Sequence, residues 1–208
     1  MRVVEKGFST ARDRGNRPKL SYGFVLENTS RRAIVVPSIK ISFTDASGHR
    51  LEINPDKLRQ SAPFILPGQR HGMGGTFGLL AARKARKLEI EIARPLWVPV
   101  GTPPSTVNQP ELGARFAEVK ASKIRAERTR GRMRLTFTVE SGYTTALTNP
   151  HFTVVFRDRS GMIVGGSDDY IKPDTKLEPG GSTHFFETWE GLPEGTVDQR
   201  SQVYIDPF

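Results

Sequence analysis

Four histidines, His49, His71, His151 and His184, are the side chains best suited to proton transfer or metal ligation. None stands in a His-x-His or His-x3-His pair, so no zinc site is expected, and surface or hairpin positions are expected for all four. Asp168, Asp169 and Asp174 could offer hard oxygen ligands to calcium, with Glu52, Asn54 and Asp56 as a counterpart earlier in the chain. The stretch lacks the alternating ligands of an EF-hand loop, and Lys172 interrupts it, so a polar loop is the expectation. No serine sits in a Gly-x-Ser-x-Gly turn, and Met73-Gly74-Gly75-Thr76-Phe77-Gly78 lacks the Lys-Ser/Thr ending of a phosphate loop. Glycines in such a strand more often mark a bulge or the close approach of another backbone. The chain has no cysteine, which excludes disulfides, thiolate metal sites and cysteine nucleophiles. These residues together predict a protein that is not an enzyme and holds no cofactor and no metal.

The remaining chemistry is charge. Lys and Arg number 31 against 22 Asp and Glu, a formal net charge of +9. Two clusters concentrate it: Arg83, Lys84, Arg86 and Lys87, and then Lys120, Lys123, Arg125, Arg128, Arg130, Arg132 and Arg134, broken by Glu127. Alternation in Lys123-Ile124-Arg125-Ala126 places the second cluster on the solvent side of a strand, where charge discourages edge-to-edge aggregation. As a functional surface it would attract an anionic partner: a cell-wall polymer, an anionic lipid surface or nucleic acid. Trp189 could join such a surface as an exposed anchor or cover a core. No nucleic-acid reader motif accompanies the basic residues.

The elements that carry these residues are written twice. FTDASG at 43–48 returns as FRDRSG at 156–161, and residues 24–48 align on 137–161 without a gap at an offset of 113. Eight of those 25 pairs are identical, among them Phe24/Phe137, Pro37/Pro150, Phe43/Phe156, Asp45/Asp158 and Gly48/Gly161. Internal duplication is the economical explanation. In each copy apolar residues recur at every second position, as a half-buried strand requires: Tyr22, Phe24, Leu26 and Leu135, Phe137, Val139 first. Ile39, Ile41, Phe43 and Phe152, Val154, Phe156 follow, with Lys40, Ser42 and Thr44 facing out. Asp-x-Ser-Gly closes a hairpin, because Asp bonds its own backbone two residues on and Gly accepts a positive φ. Pro67-Gly68 and Pro179-Gly180 mark a second shared turn.

About six or seven short strands per copy predict an all-β fold: two tandem antiparallel immunoglobulin-like β-sandwiches joined by a Pro-rich linker. The expected boundaries are 1–98 for the first sandwich, 99–112 for the stiff linker and 113–208 for the second. Residues 79–87 could add two helical turns, and Trp97 is expected to pack where the first sandwich meets the linker. No apolar run is long enough to span a bilayer, and the first residues lack the core of a signal peptide. The expected compartment is therefore the cytoplasm if the chain is complete as written, and the cell envelope or exterior if an export signal was trimmed.

The order strand, polar turn, strand ending Phe-x-Asp-x-x-Gly, then a Pro-Gly step resembles the FxLYD-type bacterial domain. Ile41-Ser42-Phe43-Thr44-Asp45 and Val154-Val155-Phe156-Arg157-Asp158 occupy the namesake position, with different residues around the aromatic. The resemblance implies immunoglobulin-like sandwiches in exported or surface-anchored proteins, with no catalytic residues. The function it implies is a noncatalytic binding or structural module of the bacterial cell envelope, contacting protein or polymer. Two other readings stand beside it: a structural or decoration component of a surface filament or phage-like particle, and a binder of nucleic acid or another anionic polymer.

Overall fold

A computed structural model describes residues 1–13, 16–35, 39–51, 59–60, 64–78, 84–93, 95–100, 117–129, 132–148, 150–170, 176–187 and 192–206. The fold is all-β. The first half contains β1 (Arg2–Arg12), β2 (Pro18–Glu27), β3 (Ala33–Val35), β4 (Ile39–Thr44), β5 (Arg59–Gln60), β6 (Phe64–Ile65), β7 (Arg70–Gly78), β8 (Lys87–Ile92) and β9 (Leu96–Val98). The second contains β10 (Val119–Thr129), β11 (Arg132–Ser141), β12 (Leu147–Thr148), β13 (His151–Arg157), β14 (Ile163–Tyr170), β15 (Lys176–Leu177), β16 (Gly180–Glu187) and β17 (Gln202–Asp206). A 3-10 turn, Asp198–Arg200, precedes β17.

The duplication read from the sequence is also a duplication of strand pairing. Sheet order β1-β2-β7 in the first half matches β10-β11-β16 in the second, and β5-β4-β8 matches β14-β13-β17. The small pairs β3-β6 and β12-β15 correspond as well, with β9 added beside β3. All these pairings are antiparallel.

Side-chain alternation explains why each half closes on itself. Leu20, Tyr22, Phe24 and Leu26 on β2 meet Ile39, Ile41 and Phe43 on β4 in one core. Met133, Leu135, Phe137 and Val139 on β11 meet Phe152, Val154 and Phe156 on β13 in the other. Phe43 sits edge-on to Phe8, Tyr22 and Phe77, at centroid distances of 5.5, 5.9 and 5.7 Å. Phe137 and Phe152 meet at 5.1 Å in the same edge-on manner. Each fully buried aromatic contributes about 1.5–3 kcal/mol of burial. Ser42, expected to face out, is buried at 6% exposure, since its short side chain lies lower than Lys40 and Thr44 on its own strand and Glu89 opposite.

The repeated phrase does in both halves what its chemistry predicts. The Asp45 carboxylate accepts the N–H groups of Ser47 and His49 at 2.8 and 3.0 Å, and Gly48 closes the turn at φ 82°. The Asp158 carboxylate accepts those of Ser160 and Met162 at the same two distances, with Gly161 at φ 88°.

The two halves do not hang apart. The outer face of β1-β2-β7 lies against the outer face of β14-β13-β17, so four sheets stack in the order β5-β4-β8, β1-β2-β7, β14-β13-β17, β10-β11-β16. Glycines make this middle contact. A Cβ on Gly23 would stand 2.5 Å from the Gly165 carbonyl oxygen, and one on Gly74 would stand 2.8 Å from Gly166 Cα. A Cβ on Gly7 would collide with the Ile163 carbonyl. The close approach anticipated for the glycine-rich strand is thus an approach to the other half of the chain.

Hydroxyls then reach across to backbone groups. Ser21 Oγ donates to the Gly166 carbonyl at 2.9 Å and accepts the Gly166 N–H at 3.1 Å. Thr76 Oγ1 donates to the same carbonyl at 3.1 Å, and Ser9 Oγ donates to the Val164 carbonyl at 2.6 Å. Val25, Val155 and Ile163, flanked by Val4 and Tyr204, supply the apolar part, and an Arg157–Glu5 ion pair lies at the margin. Ser21 is fully buried, so Ser21→Ala leaves the Gly166 N–H without an acceptor. The expected loss is about 1–3 kcal/mol in urea unfolding, and a change below about 0.5 kcal/mol would contradict that role.

Val98, the expected end of the first unit, is the last residue of β9, which pairs with β3. Linker residues 101–112 lie outside the described residues, as do residues 79–83 of the anticipated helical stretch. Residues 84–87 lead directly into β8, with Ala85 buried. Trp97 lies opposite Ile34 in the β3–β9 pair, at 36% exposure.

Candidate functional site

The histidines depart from the expected surface positions. His49 alone is a hairpin residue in the open, with Nδ1 3.7 Å from the Asp45 carboxylate. His71, on β7, is buried against Tyr204 of the other half with ring centroids 5.5 Å apart. Burial in this apolar setting pushes its pKa down to about 3, so the ring is neutral at physiological pH. His184 packs toward the second core beside Phe137 and Phe152 and bonds Ser182 Oγ at 2.7 Å, and burial lowers its pKa too. The sequence placed these two rings on strands but could not say which layer their faces met.

Among the described residues no three His, Asp or Glu side chains converge as metal ligands would. Asp168 and Asp169 belong to β14 rather than to a loop, and Asp174 lies outside the described residues.

A cleft of about 470 Å³ opens where the two halves meet. Leu66, Arg70 and His71 line it from the first half, and Lys120, Tyr143 and Tyr204 from the second. Its charged groups are engaged with one another or with close neighbours. Arg70 bonds Glu27 at 3.2 Å, Lys120 pairs with Glu118 at 2.7 Å, and Ser122 donates to Glu140 at 3.1 Å.

Lys120, Arg128 and Arg134 of the second basic cluster are each paired with a carboxylate. Arg128 donates to both oxygens of Asp198, at 2.6 and 3.3 Å, and that contact raises its pKa. Arg134 pairs with Glu187 and lies over the ring of Phe185, 5.2 Å from its centroid. Lys123 and Arg125 are exposed and carry no ion pair among the described residues. They flank a bulge in β10, where Lys123 adopts φ 51°. Arg130 and Trp189 lie outside the described residues, and Arg132 begins β11.

The first cluster is enlarged by the fold. Thr44 pairs with Lys87 on one side and with Arg50 on the other, and its carbonyl accepts the Arg86 N–H at 2.8 Å. This backbone arrangement gathers exposed Arg50, Lys84, Arg86 and Lys87 at one end of the first half. Glu89 reports the convergence: a hydrogen bond and charge from Lys87 hold its carboxyl below the usual range, with Arg50 and Lys6 adding to the effect. Among the described residues five exposed cations therefore share this end with two carboxylates, Glu89 and the turn residue Asp45. Arg83 lies outside the described residues. Lys6 and Arg50 were invisible to a search for runs of charge, because neither is near residues 84–87 in sequence.

Among the described residues no helix is long and apolar enough to cross a membrane. No protein-family model and no curated protein matches the chain.

Proposed function

We propose that this chain is a noncatalytic binding module of the bacterial cell envelope, a stiff block that presents cations to a protein or polymer partner. The observation that carries the reading is the unequal pairing of its charges. Among the described residues Lys120, Arg128 and Arg134 of the second half each have a carboxylate of their own, in Glu118, Asp198 and Glu187, and Lys123 and Arg125 stand as an isolated pair, whereas Lys6, Arg50, Lys84, Arg86 and Lys87 crowd around two carboxylates. Surplus charge held on a rigid scaffold attracts a counter-charged partner and costs little reorganisation when it binds. The envelope assignment rests on the FxLYD-type resemblance of the two Phe-x-Asp hairpins. Histidines committed to the packing, as His71 and His184 are, support a binding role over catalysis.

Incubation with purified bacterial cell walls at 50 mM salt tests the proposal. The protein is expected in the pellet after centrifugation. Quantitative recovery in the supernatant would end the reading.

A further inference from the structure

We infer that Lys6, Arg50, Lys84, Arg86 and Lys87 form a docking surface for a linear polyol-phosphate chain, held through its phosphodiester oxygens. The inference rests on the binding-module reading and adds the surface and the partner to it.

Three observations select this occupant. Among the described residues five exposed cations face two carboxylates, so the patch is complementary to a repeating anion. Two of the five are arginines, whose planar forks suit the paired oxygens of a phosphate. The exposed large apolar side chains among the described residues are Leu96, Trp97, Val100, Met162 and Phe185, and none belongs to β1, β4, β8 or residues 84–87. Nucleic acid gains much of its hold on single-strand binders from bases stacked on aromatic rings, and bilayers gain from apolar insertion. Among its described residues this surface offers neither. It reads charge along a backbone and nothing attached to it, which favours a chain of phosphates without bases. In the β10 cluster Lys120, Arg128 and Arg134 are already occupied by carboxylates, which among the described residues leaves Lys123 and Arg125 as two exposed cations against the five gathered here.

The test is titration of the whole chain with purified poly(glycerol phosphate). Wild type is expected to bind at 50 mM salt and to lose about 10- to 50-fold in affinity at 200 mM, the dependence produced by releasing a few counterions. Arg50→Glu with Arg86→Glu should weaken binding at least tenfold, while Lys123→Glu with Arg125→Glu should leave it within about twofold. If the first pair perturbs the far-UV circular dichroism, Lys84→Gln with Lys87→Gln is read instead and should also weaken binding. Equal binding by wild type and the readable patch variant overturns the inference. So does single-stranded DNA, or phosphatidylglycerol vesicles, binding more than tenfold tighter than the polymer. Wall sedimentation separates the two levels: if the patch variant pellets with walls as wild type does, the surface is wrong and the module reading stands. If wild type itself fails to pellet, both fall.

Discussion

A Gly23→Val, Gly74→Val double variant is expected to unfold about 4–24 °C below wild type. Each glycine lies on the outer face of β1-β2-β7, where a Cβ would meet the Gly165 carbonyl at 2.5 Å or Gly166 Cα at 2.8 Å. Backbone atoms cannot swing aside as a side-chain tip can, so the added bulk has to separate the sheets. Overpacking of this kind costs about 1–3 kcal/mol per site, and each kcal/mol moves the midpoint about 2–4 °C in a chain of this size. Strand propensity works the other way, since glycine inside a strand costs about 0.5–1 kcal/mol relative to alanine. A stabilised variant would therefore mean that the sheets do not touch. Calorimetry gives the midpoint, and X-ray scattering should show a larger radius of gyration as the middle contact opens. An unchanged midpoint and radius would refute the four-layer stack. Thr136→Val supplies the control: it is the residue of β11 that corresponds to Gly23, on a face that no other sheet covers among the described residues, and should move stability by less than about 0.5 kcal/mol.

His71 should make the fold sensitive to acid. Its ring is buried on the core-facing side of β7, where Leu26 stands opposite it on β2, and it reaches Tyr204 of the other half, with the Arg70–Glu27 pair beside it. The folded pKa of about 3 lies below the ordinary value of 6.5, so between these values the unfolded chain binds the proton and the folded chain does not. Stability is therefore complete above pH 6.5 and declines as pH falls toward 3. Between pH 7 and 5 the loss attributable to this group is about 2 kcal/mol. Carboxylates whose folded pKa values are lowered, such as Glu27 and Asp158, withdraw their support at lower pH than this, so the upper part of the window isolates the imidazoles. His184, also lowered, adds in the same direction. Urea unfolding of wild type and His71→Phe at pH 7 and 5 measures the difference. The phenylalanine retains a ring against Tyr204 and removes the proton site, so most of the loss should vanish. A wild-type stability equal at the two pH values would contradict the burial of His71.

Much of each half was legible because strand periodicity and turn chemistry are local. Tyr22-Phe24-Leu26, Phe152-Val154-Phe156 and the two Asp-x-Ser-Gly turns announce which side faces in and where the chain reverses, and the coordinates agree. What escaped was everything that joins distant segments. The glycines of β7 hinted at a bulge or at another backbone close by, but a bare face names no partner. That β14-β13-β17 supplies it follows from Gly165, Gly166 and Ile163, more than 80 residues downstream of the glycines of β7. The charged site was half legible for the same reason. Lys84, Arg86 and Lys87 stand in a run, whereas Lys6 and Arg50 arrive only through the pairing around Thr44. In the opposite direction, the run from Lys120 to Arg134 reads as uniformly basic in sequence, whereas in the fold Asp198 and Glu187 come back to meet Arg128 and Arg134.

The pairing of bare backbone with bare backbone also limits how this architecture can grow. In the second half the places of Gly7, Gly23 and Gly74 are taken by Arg125, Thr136 and Phe185, as the strand registers show. A further unit of the same kind could not settle there at the same spacing. The piling of layers is a ladder whose next rung is already filled with side chains, so any additional copy would be carried as a pendant and would not extend the rigid body.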